Sequence, residues 1–262
     1  MGGLPQDPDS LAYAFEYAKK IFEVHKKGAK VVLLVHTKAQ MSSTSLAGHL
    51  GSPLAKTLSK GKTAQLQPGQ HVQLQTLKTL GQMLSDTIVI GFYADEQMLD
   101  LIDDRKSLIG AIAVPDLKGD ADVWAARWGA IIHGEKKTSP AKLIEDQVVE
   151  NALTQLFAMV NPSTGITHPR DKEHADNVLR ILRAKGHTLE AEAIRSFAIQ
   201  KGRRSRNAAD LAKLASKIAS LKNKPSLAKI VTTPLIPLVM QLDGLSRMPP
   251  ASSSRAAIHP VC

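Results

Sequence analysis

The sequence predicts an α/β protein: a small three-layer N-terminal domain on a parallel sheet, followed by an all-α, basic tri-helical module. Three observations predict it. Three aliphatic, β-branched runs in the first half, at residues 30–36, 87–93 and 108–114, are separated by stretches of helical periodicity. Past residue 170, apolar residues recur at three- and four-residue steps, with glycines between the segments. The charge also divides: residues 1–160 hold 17 Lys/Arg and 17 Asp/Glu, residues 161–262 hold 17 against 7, so the whole net charge of +10 lies in the second part.

Composition narrows the class. A chain of 262 residues is long enough for two domains, each with its own core. Apolar residues make up 43% and aromatics 4%, so the cores must be aliphatic and alanine-rich. No apolar run approaches the roughly eighteen residues of a membrane span, and residues 1–10 lack the basic and apolar regions of a signal peptide. A cytoplasmic protein without membrane contact is expected. The single cysteine, Cys262, is the last residue, which leaves no internal disulfide or Cys-based zinc site. No metal and no cofactor is expected.

The first element is an amphipathic helix over 10–27, with Leu11, Ala14, Phe15, Ala18, Ile21, Phe22 and His25 on one face, Asp9 or Ser10 as cap and Gly28 as stop. Residues 30–36, KVVLLVH, read as a strand buried on both faces. A helix broken at Gly51 and Pro53 is expected near 44–60, and a further helix near 70–85. Residues 87–93 and 108–114 are strands two and three. The helix between them begins with acids at its positive end, and strand, helix, strand at this spacing is a βαβ unit. DVWAARWGAII follows as a helix whose Trp124 and Trp128 share one face; paired tryptophans at that spacing can stack on bases or a sugar, but packing against the sheet is the commoner use and the one expected.

Ligands of such domains bind beyond the carboxyl ends of the strands. After the first strand, Lys38, Ser42, Ser43 and Thr44, with His36 and Ser45 nearby, form a candidate anion site. Asp95, Glu96 and Asp116 gather at the same edge, as proton-transfer or metal groups or as helix caps. Residues 59–63, SKGKT, end like a phosphate-binding P-loop, but the first glycine of that motif would fall at Lys56 and no strand precedes it. No catalytic residue is assigned.

The second domain is expected to open with Ser139 as cap and Pro140 in the first turn of a helix running to Val160, with Ile144, Val148, Ala152, Leu156 and Met159 as its apolar stripe. NPSTG at 161–165 reads as a hinge or linker. Three helices then follow, carrying Ala175, Val178, Leu179 and Leu182; Ala193, Ile194, Phe197 and Ala198; and Leu211, Leu214, Ala215, Ile218 and Leu221. Gly186 and Gly202 close the first two, and Asn207 is expected to cap the third with Asp210 three residues on. Helix-turn-helix readers are built on this architecture.

The polar face of this module is basic. KGRRSRN brings Lys201, Arg203, Arg204 and Arg206 together, and Lys213 and Lys217 follow one turn apart, with Lys224 near the same face. No carboxylate lies between 193 and 209. Clustered guanidinium groups suit phosphate through their planar forks. Residues 194–202, IRSFAIQKG, with the basic loop and helix after them, resemble the helix–basic loop–helix DNA-binding domain of the actinobacterial H-NS-like nucleoid-silencing proteins over about 25 residues. That family carries an Ile-Arg-x-Trp-Ala segment and an Arg-Gly-Arg loop that enters the minor groove. Here Phe197 replaces Trp, and Arg203-Arg204-Ser205-Arg206 has no central glycine.

The expected organisation is a Rossmann-like α/β domain over 1–138, a basic helical domain over 139–228 and an extended or disordered tail over 229–262. The expected function is nucleic-acid binding, DNA before RNA, through Lys201, Arg203, Arg204, Arg206, Lys213 and Lys217, with the α/β domain serving a protein partner, assembly or regulation. The alternative is an enzyme acting on a phosphorylated or nucleotide substrate at the strand ends. A third reading is an interaction module whose α/β fold has lost any site.

Overall fold

The computed structural model describes residue 7, residues 9–135 and 142–223, and the backbone of residues 260 and 261. The described residues fall into two compact units, with the boundary between residues 135 and 142. Among them no helix is long and apolar enough to cross a membrane.

The first unit is a mixed α/β fold. Its elements are α1 (Ser10–His25), β1 (Lys30–Val35), α2 (Gln40–Ser43), α3 (Leu46–Leu50), α4 (Ser52–Ser59), β2 (Ala64–Gln67), β3 (Gln70–Thr76), β4 (Met83–Ala94), α5 (Glu96–Asp103), β5 (Lys106–Pro115) and α6 (Asp122–Trp128). The strands lie in the order β2-β3-β1-β4-β5, and two-residue bridges at Pro260–Val261 and Ile131–Ile132 continue the sheet past β5. β1 pairs in parallel with both β3 and β4, and β4 in parallel with β5.

The β1 run VVLLV is buried at every position because alternate side chains feed cores on opposite faces. Val31, Leu33 and Val35 meet α1, α3 and α4 through Leu11, Ile21, Leu46, Leu50 and Leu58. Val32 and Leu34 meet α5 and α6 through Met98, Leu99, Ile102 and Trp124. Three layers result, as expected. Gly91 in β4 allows α5 to come close: a Cβ there would sit 2.9 Å from Met98 Sδ.

The sheet departs from the expected all-parallel one at its edge. Residues 70–76 form β3, not part of a helix over 70–85, and β2 pairs with β3 antiparallel. Val72 is buried and His71 exposed, a period-two signal outweighed in the sequence by good helix formers. Buried Gln70 ties this strand to α1: its Nε2 donates to the carbonyls of Ala18 at 3.2 Å and Gly28 at 3.0 Å. α1 ends at His25, and Lys26, at φ 52°, caps it two residues before Gly28. His25 is thereby exposed rather than packed. Gly61, at φ 73°, lies between the end of α4 and edge strand β2, so SKGKT follows a helix and leads into a strand, the reverse of a P-loop.

The second unit holds α7 (Gln147–Met159), a 3-10 turn (Gly165–Thr167), α8 (Pro169–Ala184), α9 (Ala191–Gln200) and α10 (Ser205–Ala219). α7 packs against α8, so the described residues of the unit hold four α-helices. Ser139 and Pro140 lie outside the described residues. The cap of α7 is Asp146, whose Oδ1 accepts from the N–H groups of Val148 at 2.8 Å and Val149 at 3.3 Å. The buried stripe is Val149, Ala152, Leu153, Leu156 and Phe157, while Met159 is exposed. Glycine closure of α8 and α9 is as expected, with Gly186 at φ 95° and Gly202 at φ 79°. Asn207 lies inside α10 and does not cap it. The expected tail and Lys224 fall outside the described residues, apart from the bridge at 260–261.

Candidate nucleic-acid interface and a strand-end cluster

Helices α9 and α10 are joined by residues 201–204, a turn of helix-turn-helix length that contains a glycine. Within it, Arg203 turns inward. Its Nη1 donates to the Val160 carbonyl at 3.0 Å, its Nη2 donates to the Phe157 carbonyl, and its Cζ lies 5.2 Å from the Phe157 ring centre. These carbonyls belong to the C-terminal turn of α7, where the helix leaves acceptors without partners. Burial lowers the guanidinium pKa below its usual value. Arg203 is therefore a structural clamp, and its expected phosphate contact is withdrawn.

The other five predicted cations are exposed: Lys201, Arg204, Arg206, Lys213 and Lys217. Lys201 Nζ sits 5.0 Å above the Phe197 ring, itself part of the core. Arg206, Lys213 and Lys217 recur at seven and four residues, so they share one face of α10. Asp210 falls on the same face and, with Asn207 inside the helix, is not a capping partner. The Asn207 amide instead donates to the carbonyls of Pro162 and Ser163, both at 3.3 Å. This pins the segment that reads as a linker, NPSTG, against α10.

In the first unit, β1 and β4 are neighbours, but the chain leaves β1 for one face of the sheet and β4 for the other. A crevice opens at such a reversal, beyond the carboxyl ends of the strands. The anion site expected there is not assembled. Lys38 is exposed, but the hydroxyls of Ser42 and Ser43 donate to the Ala39 carbonyl at 3.1 and 2.9 Å, and that of Thr44 to the Gln40 carbonyl at 2.7 Å. Gln40 Oε1 takes the N–H groups of His36 and Thr37 at 2.8 and 3.2 Å. The donors meant for an anion are already in use.

A different set converges at this edge, around Tyr93. Tyr93 stands at φ 62°, at a shift in register near the end of β4. His36 Nε2 lies 3.1 Å from its carbonyl oxygen and 3.6 Å from Asp95 Oδ1. Its phenol oxygen is 3.3 Å from Ser45 Oγ, which is 3.0 Å from His49 Nε2. Asp95 also caps α5, accepting from the Met98 N–H at 2.8 Å. His49 was not singled out in the sequence, although its spacing of four from Ser45 places both on one side of a helical turn.

Trp124 and Trp128 also find their role. Both indole Nε1–H groups donate to Asp103 Oδ1 at 2.9 Å, and Arg127 Nη1 donates to Oδ2 at 2.7 Å. One carboxylate at the end of α5 thus holds α6 in place, and the tryptophans serve packing rather than stacking on a ligand.

Residues 145–236 match a family described only as a domain of unknown function (DUF1889). That segment begins one residue before the Asp146 cap and contains the whole described helical unit from α7 onward. No curated protein and no solved structure matches the chain.

Proposed function

We propose that the helical unit binds duplex nucleic acid, DNA in preference to RNA, through α10 and the turn before it, while the α/β unit serves a protein partner, assembly or regulation. The observation that supports this reading is the separation of roles within the basic loop. One arginine is used to hold the fold, and five further cations on the turn and one face of a helix stay exposed. A helix carrying such a face fits the wide major groove of B-form DNA, whereas the deep, narrow major groove of A-form RNA does not admit it. Phosphate contacts by Lys201, Arg204, Arg206, Lys213 and Lys217 give affinity without sequence preference.

The test is a binding series on duplex DNA, single-stranded DNA and duplex RNA at several salt concentrations. Five phosphate contacts predict a slope of log affinity against log salt of about −4.5 on duplex DNA. Arg204→Ala and Arg206→Ala should each flatten it by about one unit, equally on unrelated sequences. An unchanged affinity in the combined Arg204/Arg206/Lys213/Lys217→Ala variant would remove this function.

A further inference from the structure

We propose that the side-chain cluster at the carboxyl ends of β1 and β4 is a hydrolytic site for small carboxylic esters, with Ser45 as nucleophile, His49 as general base and the Tyr93 phenol as the donor that steadies the developing oxyanion. The geometry is that of a nucleophile and base within hydrogen-bonding reach: Ser45 Oγ to His49 Nε2 is 3.0 Å, and a phenol lies 3.3 Å from the same oxygen. Ser45 is exposed, so a substrate can reach it.

The surroundings hold these groups. Fully buried Phe92 meets the His49 ring edge-on at 6.2 Å and the Tyr93 ring at 4.7 Å and 74°, so base and phenol rest on one rigid side chain. Tyr93 takes a left-handed backbone conformation that a bulky residue seldom adopts, and His36 sits on its carbonyl. Backbone strain of this kind clusters at functional sites. His36 and Asp95 are positioning residues here, acting through the Tyr93 main chain.

The chemistry closes with water as the only co-reactant. Ser45 Oγ attacks the ester carbonyl carbon while His49 Nε2 accepts its proton, and the carbonyl oxygen, now negative, receives the phenol hydrogen bond. The bond from carbon to the leaving oxygen breaks, the alcohol departs with the proton from His49, and an acyl–Ser45 ester remains. Water then attacks that ester, giving a proton to His49, and the bond to Oγ breaks. Oγ regains the proton, and a carboxylic acid is released. This activity is independent of the nucleic-acid reading, which concerns the other unit.

The test uses the full-length chain and an alkyl fluorophosphonate, whose phosphorus Ser45 Oγ attacks with loss of fluoride, together with p-nitrophenyl acetate as substrate. One adduct per chain is expected, located at Ser45 by peptide mass spectrometry. His49→Gln should slow labelling by about 100-fold, since a positioned base contributes at least that much. Tyr93→Phe should slow ester hydrolysis by about 10-fold or more. Ser45→Ala, at an exposed position, should abolish labelling and hydrolysis with an unchanged far-ultraviolet circular dichroism spectrum. Absence of an adduct, an adduct spread over Ser42 and Ser43, or a labelling rate indifferent to His49→Gln would each overturn the proposal.

Discussion

Gly165 lies so close to Asn207 that a Cβ added to the glycine would stand 2.7 Å from both Cβ and Cγ of the asparagine. The glycine is also at φ 57°, where L side chains are strained. The turn after α7 and the body of α10 are thereby fitted to each other, with the Asn207 amide bonded to the carbonyls of Pro162 and Ser163. Gly165→Ala should destabilise the helical unit by more than about 1 kcal/mol. Asn207→Ala should relieve only part of that penalty in the double variant, because it removes Cγ and the amide from the clash but leaves the contact with Cβ and the backbone strain. Thermal unfolding of the four proteins in the cycle measures the coupling.

Arg203 and Arg204 are neighbours with opposite roles. Arg203→Ala removes two charge-assisted bonds to the end of α7 and should cost about 2 kcal/mol or more. Arg204→Ala, at an exposed position, should stay within about 0.5 kcal/mol. Arg203→Lys should not restore stability, since a single ammonium lacks the fork that spans both carbonyls. Denaturant midpoints distinguish the three variants.

Asp103 is the shared acceptor of Trp124, Arg127 and Trp128. Asp103→Ala should destabilise the α/β unit by about 3 kcal/mol, because Arg127 is buried and loses its nearest counter-charge. Asp103→Asn should cost less, as it keeps an acceptor for one or both indoles. Near-ultraviolet circular dichroism should report the two tryptophans leaving their fixed environment in the alanine variant.

The two units should answer acid differently. Burial, opposed by Arg127 and the indole hydrogen bonds, pushes the Asp103 carboxyl up to about 6 from 3.8. The folded state therefore holds that proton more tightly than the unfolded chain, and this group's contribution falls as pH rises from about 4 to about 6. For Asp146, burial raises the pKa, but the His187 bond at 2.6 Å and the N–H groups of Val148 and Val149 outweigh it and hold the carboxyl below its usual value. Its contribution is present above pH 3.8 and is lost as pH falls below that. Unfolding free energies of the parent chain measured against Asp103→Asn and Asp146→Ala should diverge in opposite directions across pH 3 to 7.

What the amino-acid sequence determined by itself were the features set by local periodicity and local charge. The runs at 30–36, 87–93 and 108–114 are apolar enough to be strands buried on both faces wherever they pair, and α8, α9 and α10 carry their own apolar faces, with glycine stops after α8 and α9. The exposure of Arg206, Lys213 and Lys217, which share one face of α10, follows from the same periodicity. Tertiary structure alone decided the rest. Gln70–Thr76 became a strand because β1 offered a pairing edge, which no helix propensity of its own residues reveals. Arg203 and Arg204 are indistinguishable in a run of arginines, and only the carbonyls of Phe157 and Val160, more than forty residues away, make one a clamp and leave the other in solvent. Likewise Tyr93 meets the local Ser45–His49 pair only because β1 and β4 are neighbours, a long-range pairing that no spacing along the chain encodes.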